Sequence, residues 1–162
     1  MVSFGVAPAL VAFSWVLGDI GKIGWFAAFI YVAGAALRLA RFNTQIGSVD
    51  KRFFIGLPSP AAAAAVGGLV WVATEYAIDP KPFAYAIALY VAVAGILMVT
   101  NALYYSFKDV DLKGKVPFII LAGIVLGVGV ISIDPSLFLW LLFLVYGLSG
   151  PVFWLWRRSK KV

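Results

Sequence analysis

The sequence predicts an all-α fold: a polytopic membrane helical bundle with about six transmembrane helices, forming a single transmembrane domain over residues 1–162. Three observations carry this. The chain is 64% hydrophobic and only 12% charged, with a mean hydropathy of +1.02. A soluble domain of about 150 residues leaves roughly 30% of its unfolded surface in water and needs charge to cover it. Apolar runs near bilayer length recur six times, and the basic residues gather on alternate connections between them.

Taken in order, the runs cover residues 2–17, 25–39, 61–76, 83–100, 116–133 and 137–156. A hydrocarbon core of about 30 Å needs around 20 apolar residues per helix, so the short first and third runs are expected to extend into flanking polar residues. The first lacks the basic leader of a signal peptide. Backbone groups in lipid must be satisfied within the segment, and the ten-residue alternation of a membrane β-barrel is missing, so these runs read as helices. Gly18-Asp19, Gly56-Leu57-Pro58-Ser59-Pro60, Asp79-Pro80-Lys81-Pro82 and Asp134-Pro135 punctuate them as turn or helix-start signals. Ser59 ahead of Pro60 suits the N-cap of the third helix.

Two composition rules set the orientation and the packing. Arg38, Arg41, Lys51 and Arg52 flank the second connection, Lys108, Lys113 and Lys115 the fourth, and Arg157, Arg158, Lys160 and Lys161 the tail. That is eleven of thirteen cations, against Lys22 and Lys81 on the other side. The positive-inside rule then puts the basic connections and both termini in the cytoplasm, and a basic rim of this kind calls for no nucleic acid. Trp15, Trp25, Trp71, Trp140, Trp154 and Trp156 lie toward run ends and read as interfacial anchors. The alanines at 61–65, Gly67-Gly68 and Gly123-x-x-x-Gly127 would let helix backbones approach closely.

The chain has no cysteine and no histidine, which excludes disulfides, a thiolate nucleophile, a histidine base and Cys/His zinc sites. Its seven acids, Asp19, Asp50, Glu75, Asp79, Asp109, Asp111 and Asp134, all fall in connections or at run ends, so no intramembrane proton relay is built from this chain alone. Asp109-x-Asp111 alternates with lysines and reads as a solvated loop.

The most informative stretch is Leu37-Arg38-Leu39-Ala40-Arg41-Phe42-Asn43. A three-residue spacing puts Arg38 and Arg41 on one helical face, and paired guanidinium forks suit a phosphate or a carboxylate. Snorkelling to the interface accounts for the spacing equally well. Lys51 and Arg52 lead into the start of the third helix, whose N-terminus favours anions, and Ser3 opens the chain on the same face. Three helix ends thus converge on one basic pocket at membrane level, suited to an anionic headgroup.

Ser3-Phe4-Gly5-Val6-Ala7-Pro8-Ala9, Leu37 to Asn43, Phe54-Ile55-Gly56-Leu57-Pro58-Ser59-Pro60, and Tyr104-Tyr105-Ser106-Phe107-Lys108-Asp109 with Lys113-Gly114-Lys115-Val116-Pro117 together resemble the CDP-alcohol phosphatidyltransferase family, on its serine-accepting branch. The resemblance implies transfer of a phosphatidyl group from CDP-diacylglycerol to L-serine with release of CMP, at the cytoplasmic surface of the inner membrane. It implies substrate-binding roles for Arg38, Arg41, Asn43, Ser3, Lys51 and Ser59, with the arginines on a carboxylate or lipid phosphate, Asn43 and Ser59 as neutral donors, and Phe42 packing. Membrane lipids and a homodimer partner are implied by the resemblance alone.

Family members carry D-G-x-x-A-R and G-x-x-x-D-x-x-x-D, whose aspartates hold two divalent cations, Mg or Mn, and supply the base. This chain has neither string. The expectation is an N-terminally truncated chain, lacking the helices of the catalytic motif, with no catalytic or metal-binding residue of its own and no activity alone. A different acceptor alcohol is the nearest alternative, and a non-enzymatic scaffold or transporter subunit the more distant one.

Overall fold

The computed structural model describes residues 1–44, 53–105 and 118–159. A π-helical turn, Val2–Val6, leads into α1 (Ala7–Trp15), and a 3-10 turn, Leu17–Ile20, leads into α2 (Lys22–Thr44). Then come β1 (Phe53–Ile55), α3 (Ser59–Glu75), a 3-10 turn at Lys81–Phe83, α4 (Ala84–Val99), β2 (Leu103–Tyr105), α5 (Phe118–Ile131) and α6 (Pro135–Ser159). Each of the six apolar runs forms a helix over most of its described residues. Lys22–Thr44, Lys81–Val99 and Pro135–Phe153 are long and apolar enough to cross a membrane, while Val2–Trp15 and Leu121–Ile131 are shorter apolar helices. α3, with 17 residues, rises about 25 Å, just short of the hydrocarbon thickness. This is a membrane protein.

The sequence pattern did not suggest strands, yet β1 and β2 form a two-stranded antiparallel ladder with Phe54 opposite Tyr104. The ladder joins the connection after α2 to the connection after α4, which puts those two ends side by side. Its alignment is fixed at Gly56, whose N–H donates to Ala102 O at 2.8 Å while Leu57 N–H donates to Leu97 O at 3.0 Å. Gly56 has φ +79, and a Cβ there would lie 2.3 Å from Met98 O. Only glycine meets both conditions at no cost.

The core is a close contact between α2 and α4. A Cβ on Gly34 would sit 2.3 Å from Gly95 O, and one on Gly95 would sit 2.6 Å from Tyr31 Cα, so the two backbones touch where neither carries a side chain. Tyr31, fully buried, donates its hydroxyl to Phe4 O at 3.1 Å, which ties the N-terminal turn to α2. Tyr90 of α4 donates to Ala65 O of α3 at 3.0 Å. The alanine run behaves as expected, with Ala61, Ala62 and Ala65 buried. Gly123 and Gly127 do not: an added Cβ at either meets nothing within 4 Å among the described residues. Trp140 also departs from the anchor reading, since it packs against Gly68 with its Nε1 buried beside the Tyr90 hydroxyl. Trp25, 61% exposed and stacked on Phe29, fits that reading.

Candidate functional site

The two ends of the bundle are chemically different. At one end, Tyr76, just past α3, donates its hydroxyl to Asp134 Oδ2, while Asp134 Oδ1 caps α6 by accepting from Leu137 N–H at 3.1 Å and Ser136 Oγ at 2.9 Å. These bonds hold the Asp134 carboxyl below the usual carboxylate range, and the bond to Asp134 pushes Tyr76 above the usual phenol range. Asp19, Glu75 and Asp79 stand at helix ends and turns of the same end, with Lys22 and Lys81. The other end gathers the N-terminal turn, the last turns of α2 and α4, the first turn of α3, the ladder and the far half of α6.

At that second end α2 carries Arg38 and Arg41 on one face, as the three-residue spacing requires. Arg38 is half-buried, and its Nη1 donates to Ser59 Oγ at 3.1 Å. Its Nε is buried with no partner among the described residues. Tyr146 of α6 lies within electrostatic reach of the same guanidinium. Every described acid is at the opposite end, so Arg38 is a partly desolvated cation with no carboxylate beside it among the described residues. Buried charge of that kind is costly.

The other expected site residues divide. Ser59 is brought to Arg38, but not as the N-cap of α3: Pro58 holds that position, with no side-chain cap. Pro58 has ψ 129, the extended conformation of a cap residue, which moves Ser59 into the first turn and leaves its hydroxyl for Arg38. Arg41 faces α4, donating through Nη1 to Val99 O at 3.2 Å and through Nη2 to Asn101 Oδ1. A cation on the last carbonyls of a helix opposes the negative end of its dipole, so Arg41 caps α4 from a neighbouring helix. Asn43 lies roughly 200° around α2 from Arg41 and is exposed. Phe42, expected to pack, is 60% exposed, because its position turns it outward from the bundle. Ser3 is exposed on the N-terminal turn beside α2 and α3. Lys51 lies outside the described residues.

The sequence reading missed three residues here. Asn101 receives Arg41, and with Leu97, Thr100, Ala102 and Pro151 it lines a cavity of about 340 Å³. Tyr104, fully buried on β2, donates its hydroxyl to Gly147 O at 3.0 Å and packs its ring 5.5 Å from that of Tyr146. Burial pushes the Tyr104 hydroxyl up to about 12, so it stays a donor at any physiological pH. A proline inside an apolar helix was the available signal: Pro151 has no N–H to give to the carbonyl four residues back.

No protein-family profile matches the chain. The CDP-diacylglycerol–serine O-phosphatidyltransferase of Helicobacter pylori is 33% identical over 161 residues, covering 99% of this chain and 66% of that protein. Enzymes of the same name are 30% identical over 149 residues in Methanocaldococcus jannaschii, with 91% and 64% covered, and 26% identical over 150 residues in Mycobacterium leprae, with 90% and 50% covered. The chain belongs to the CDP-alcohol phosphatidyltransferase family. It spans 66%, 64% and 50% of the length of these three relatives.

The family implies a pair of divalent cations, and the described residues do not fit them. No group of three or more carboxylates gathers among the described residues. Asp19, Glu75, Asp79 and Asp134 are on the far side of the bundle from Arg38. What the basic end of the chain does hold is one half-buried guanidinium with one hydroxyl on it, and a cavity beside Asn101, the partner of Arg41.

Proposed function

We propose that the protein transfers a phosphatidyl group from CDP-diacylglycerol to L-serine, and that these 162 residues form its acceptor-binding and scaffold domain. In that reaction the serine oxygen forms a bond to the lipid-linked phosphorus, the pyrophosphate bond breaks, CMP leaves and the serine hydroxyl proton is released. The supporting observation is Arg38, half-buried, hydrogen-bonded to Ser59, with a buried Nε left over and no carboxylate nearby among the described residues. A serine carboxylate is a natural partner for such a fork. A lipid phosphate is the other anion available at this depth. Arg41 contributes by capping α4, and the cation ligands and the base belong to chain outside the described residues.

The same reading places the basic end at the cytoplasmic face of the inner membrane, with lipids covering the outward rows of the helices. Pairing of two copies enters through the family alone. Because the chain has no cysteine, single cysteines report orientation without background. A cysteine at Asn43 is expected to react with an impermeant maleimide only from the cytoplasmic side, and one at Asp79 only from the opposite side.

The deciding test is CMP release in membranes from CDP-diacylglycerol, with and without serine and a divalent cation, using the protein extended to the length of its relatives. Serine-dependent release is expected. Arg38→Ala should reduce serine turnover by on the order of 100-fold, the usual effect of deleting one partner of a desolvated charge pair. Near-normal serine kinetics in that variant would overturn the role of Arg38. Release driven by inositol phosphate or glycerol phosphate instead would reassign the acceptor.

A further inference from the structure

α6 contains a proline at position 151, so the carbonyl of Gly147 loses its intrahelical donor. An unpaired backbone carbonyl at membrane depth is costly. Here it is taken by a residue from a distant part of the chain: Tyr104 of the ladder strand donates its hydroxyl to Gly147 O at 3.0 Å. The fit extends to Gly150, where a Cβ would lie 2.2 Å from Tyr104 Cζ. Gly147, Gly150 and Pro151 thus form a slot in α6, and Tyr104 is its key.

The slot is one residue from Tyr146, whose ring packs on that of Tyr104 at 5.5 Å with a 45° tilt. Tyr146 is in turn within electrostatic reach of Arg38, and Arg38 is held on its other side by Ser59. The geometric route from the break in α6 to the guanidinium assigned to the acceptor runs through α3, which packs along α6 and carries the Ser59 hydroxyl that Arg38 holds. Arg38 comes from α2, Ser59 from α3 and Tyr146 from α6, so the guanidinium depends on how three separate helices are set against one another.

We propose that Tyr104 is a positioning residue for the anion site: its hydroxyl, seated on the carbonyl that Pro151 leaves open, fixes α6 and thereby the α3 face whose Ser59 holds the guanidinium of Arg38. Tyr104 itself touches no substrate. The proposal rests on the acceptor reading of Arg38 for its kinetic consequence, but the placement of Arg38 can be read without turnover.

The test uses the full-length protein in membranes, as the parent and as the Tyr104→Phe and Pro151→Ala variants. Tyr104→Phe removes the key's hydroxyl and keeps the ring. Pro151→Ala gives Gly147 O an intrahelical N–H that competes with Tyr104. Two quantities are measured: the rate at which phenylglyoxal modifies Arg38, read by mass spectrometry of the Arg38 peptide, and the KM values for serine and CDP-diacylglycerol. For Tyr104→Phe, loss of one hydrogen bond should raise both the modification rate and the serine KM about fivefold, with kcat and donor KM within about twofold of the parent. Pro151→Ala should move both readings the same way by a smaller factor. A merely structural tyrosine predicts otherwise: both KM values and the thermal midpoint would shift together, or Pro151→Ala would stabilise α6 with serine KM unmoved. Either result, or an unchanged Arg38 modification rate, overturns the proposal. If the parent shows no serine-dependent CMP release, the phosphatidyl-transfer reading fails, and the modification rate still decides the role of Tyr104.

Discussion

α4 and α5 are both wholly apolar, without a charge between Ala84 and Val99 or between Phe118 and Ile131, yet they occupy opposite environments. α4 buries Ala84, Ile87, Ala88, Val91, Ala94, Gly95 and Met98, a row repeating every three or four residues, and it leaves Leu89 on the other side 66% exposed. α5 exposes Leu121, Ile124, Val125, Leu126, Val128 and Val130, with Leu126 at 70%. Hydropathy is therefore blind to the distinction, since lipid is as apolar as a neighbouring helix. The difference lies in where the small residues fall. Those of α4 are aligned on one face and meet Gly34 and Tyr31 of α2. The glycines of α5 face nothing within 4 Å among the described residues.

The comparison breaks most sharply at the glycines. Gly95→Leu would drive a side chain into the α2 backbone at Tyr31, and overpacking of a backbone contact that cannot yield is expected to cost at least about 3 kcal/mol. Solubilised protein should then lose its monodisperse peak in size-exclusion chromatography. Gly127→Leu should leave yield and thermal midpoint within about 0.5 kcal/mol of the parent. Equal damage from the two would mean that α5 has a partner the described residues do not reveal.

A smaller effect is expected where the turn ahead of α4 meets the turn after α5. Asp134 lies below its ordinary value because Tyr76 and Leu137 donate to it, and Tyr76 lies above its own because of Asp134. A depressed carboxyl gives stability above its unfolded value of about 4 that is lost as pH falls through the folded value; a raised phenol gives stability below about 10 that is lost as pH rises through the folded value. The thermal midpoint of the parent should therefore exceed that of Tyr76→Phe between those limits, with the gap closing at both extremes. A gap independent of pH would show that the bond contributes nothing. Both groups are exposed, so the effect is modest.

The smallest change concerns Ala77, which enters the left-handed region at φ 51. Ile78 N–H donates to Ala73 O at 2.8 Å and Ala77 N–H to Thr74 O at 3.2 Å, the pattern that ends a helix with glycine in this position. Ala77→Gly should raise stability by at most about 1 kcal/mol, read from the thermal midpoint. A loss would mean that chain entropy outweighs relief of the strained φ.

Much of the site was legible because its signals are local. Arg38 and Arg41 are three residues apart on a helix whose periodicity is fixed, so their shared face followed from the sequence. Their different partners did not: Ser59 is 21 residues from Arg38, and Asn101 is 60 from Arg41. Asn43 was read as a site residue from its neighbours in the sequence, and the turn of the helix carries it away. Tyr104 was seen within a motif but not as a donor, because its acceptor, Gly147 O, is open only through a proline 47 residues further along.

The sequence by itself determined that the chain lives in a membrane, that its six apolar runs are helices, and that cations collect at one end. These follow from composition and spacing, since the cost of charge and of unpaired backbone groups in lipid depends little on which helix stands next to which. Only the tertiary structure decided which apolar helix is core and which faces outward, which arginine caps a helix and which sits half-buried on Ser59, and where the orphaned carbonyl of α6 finds its donor. Each of these depends on two groups far apart in the chain meeting at hydrogen-bond or van der Waals distance, and local sequence carries no record of that distance.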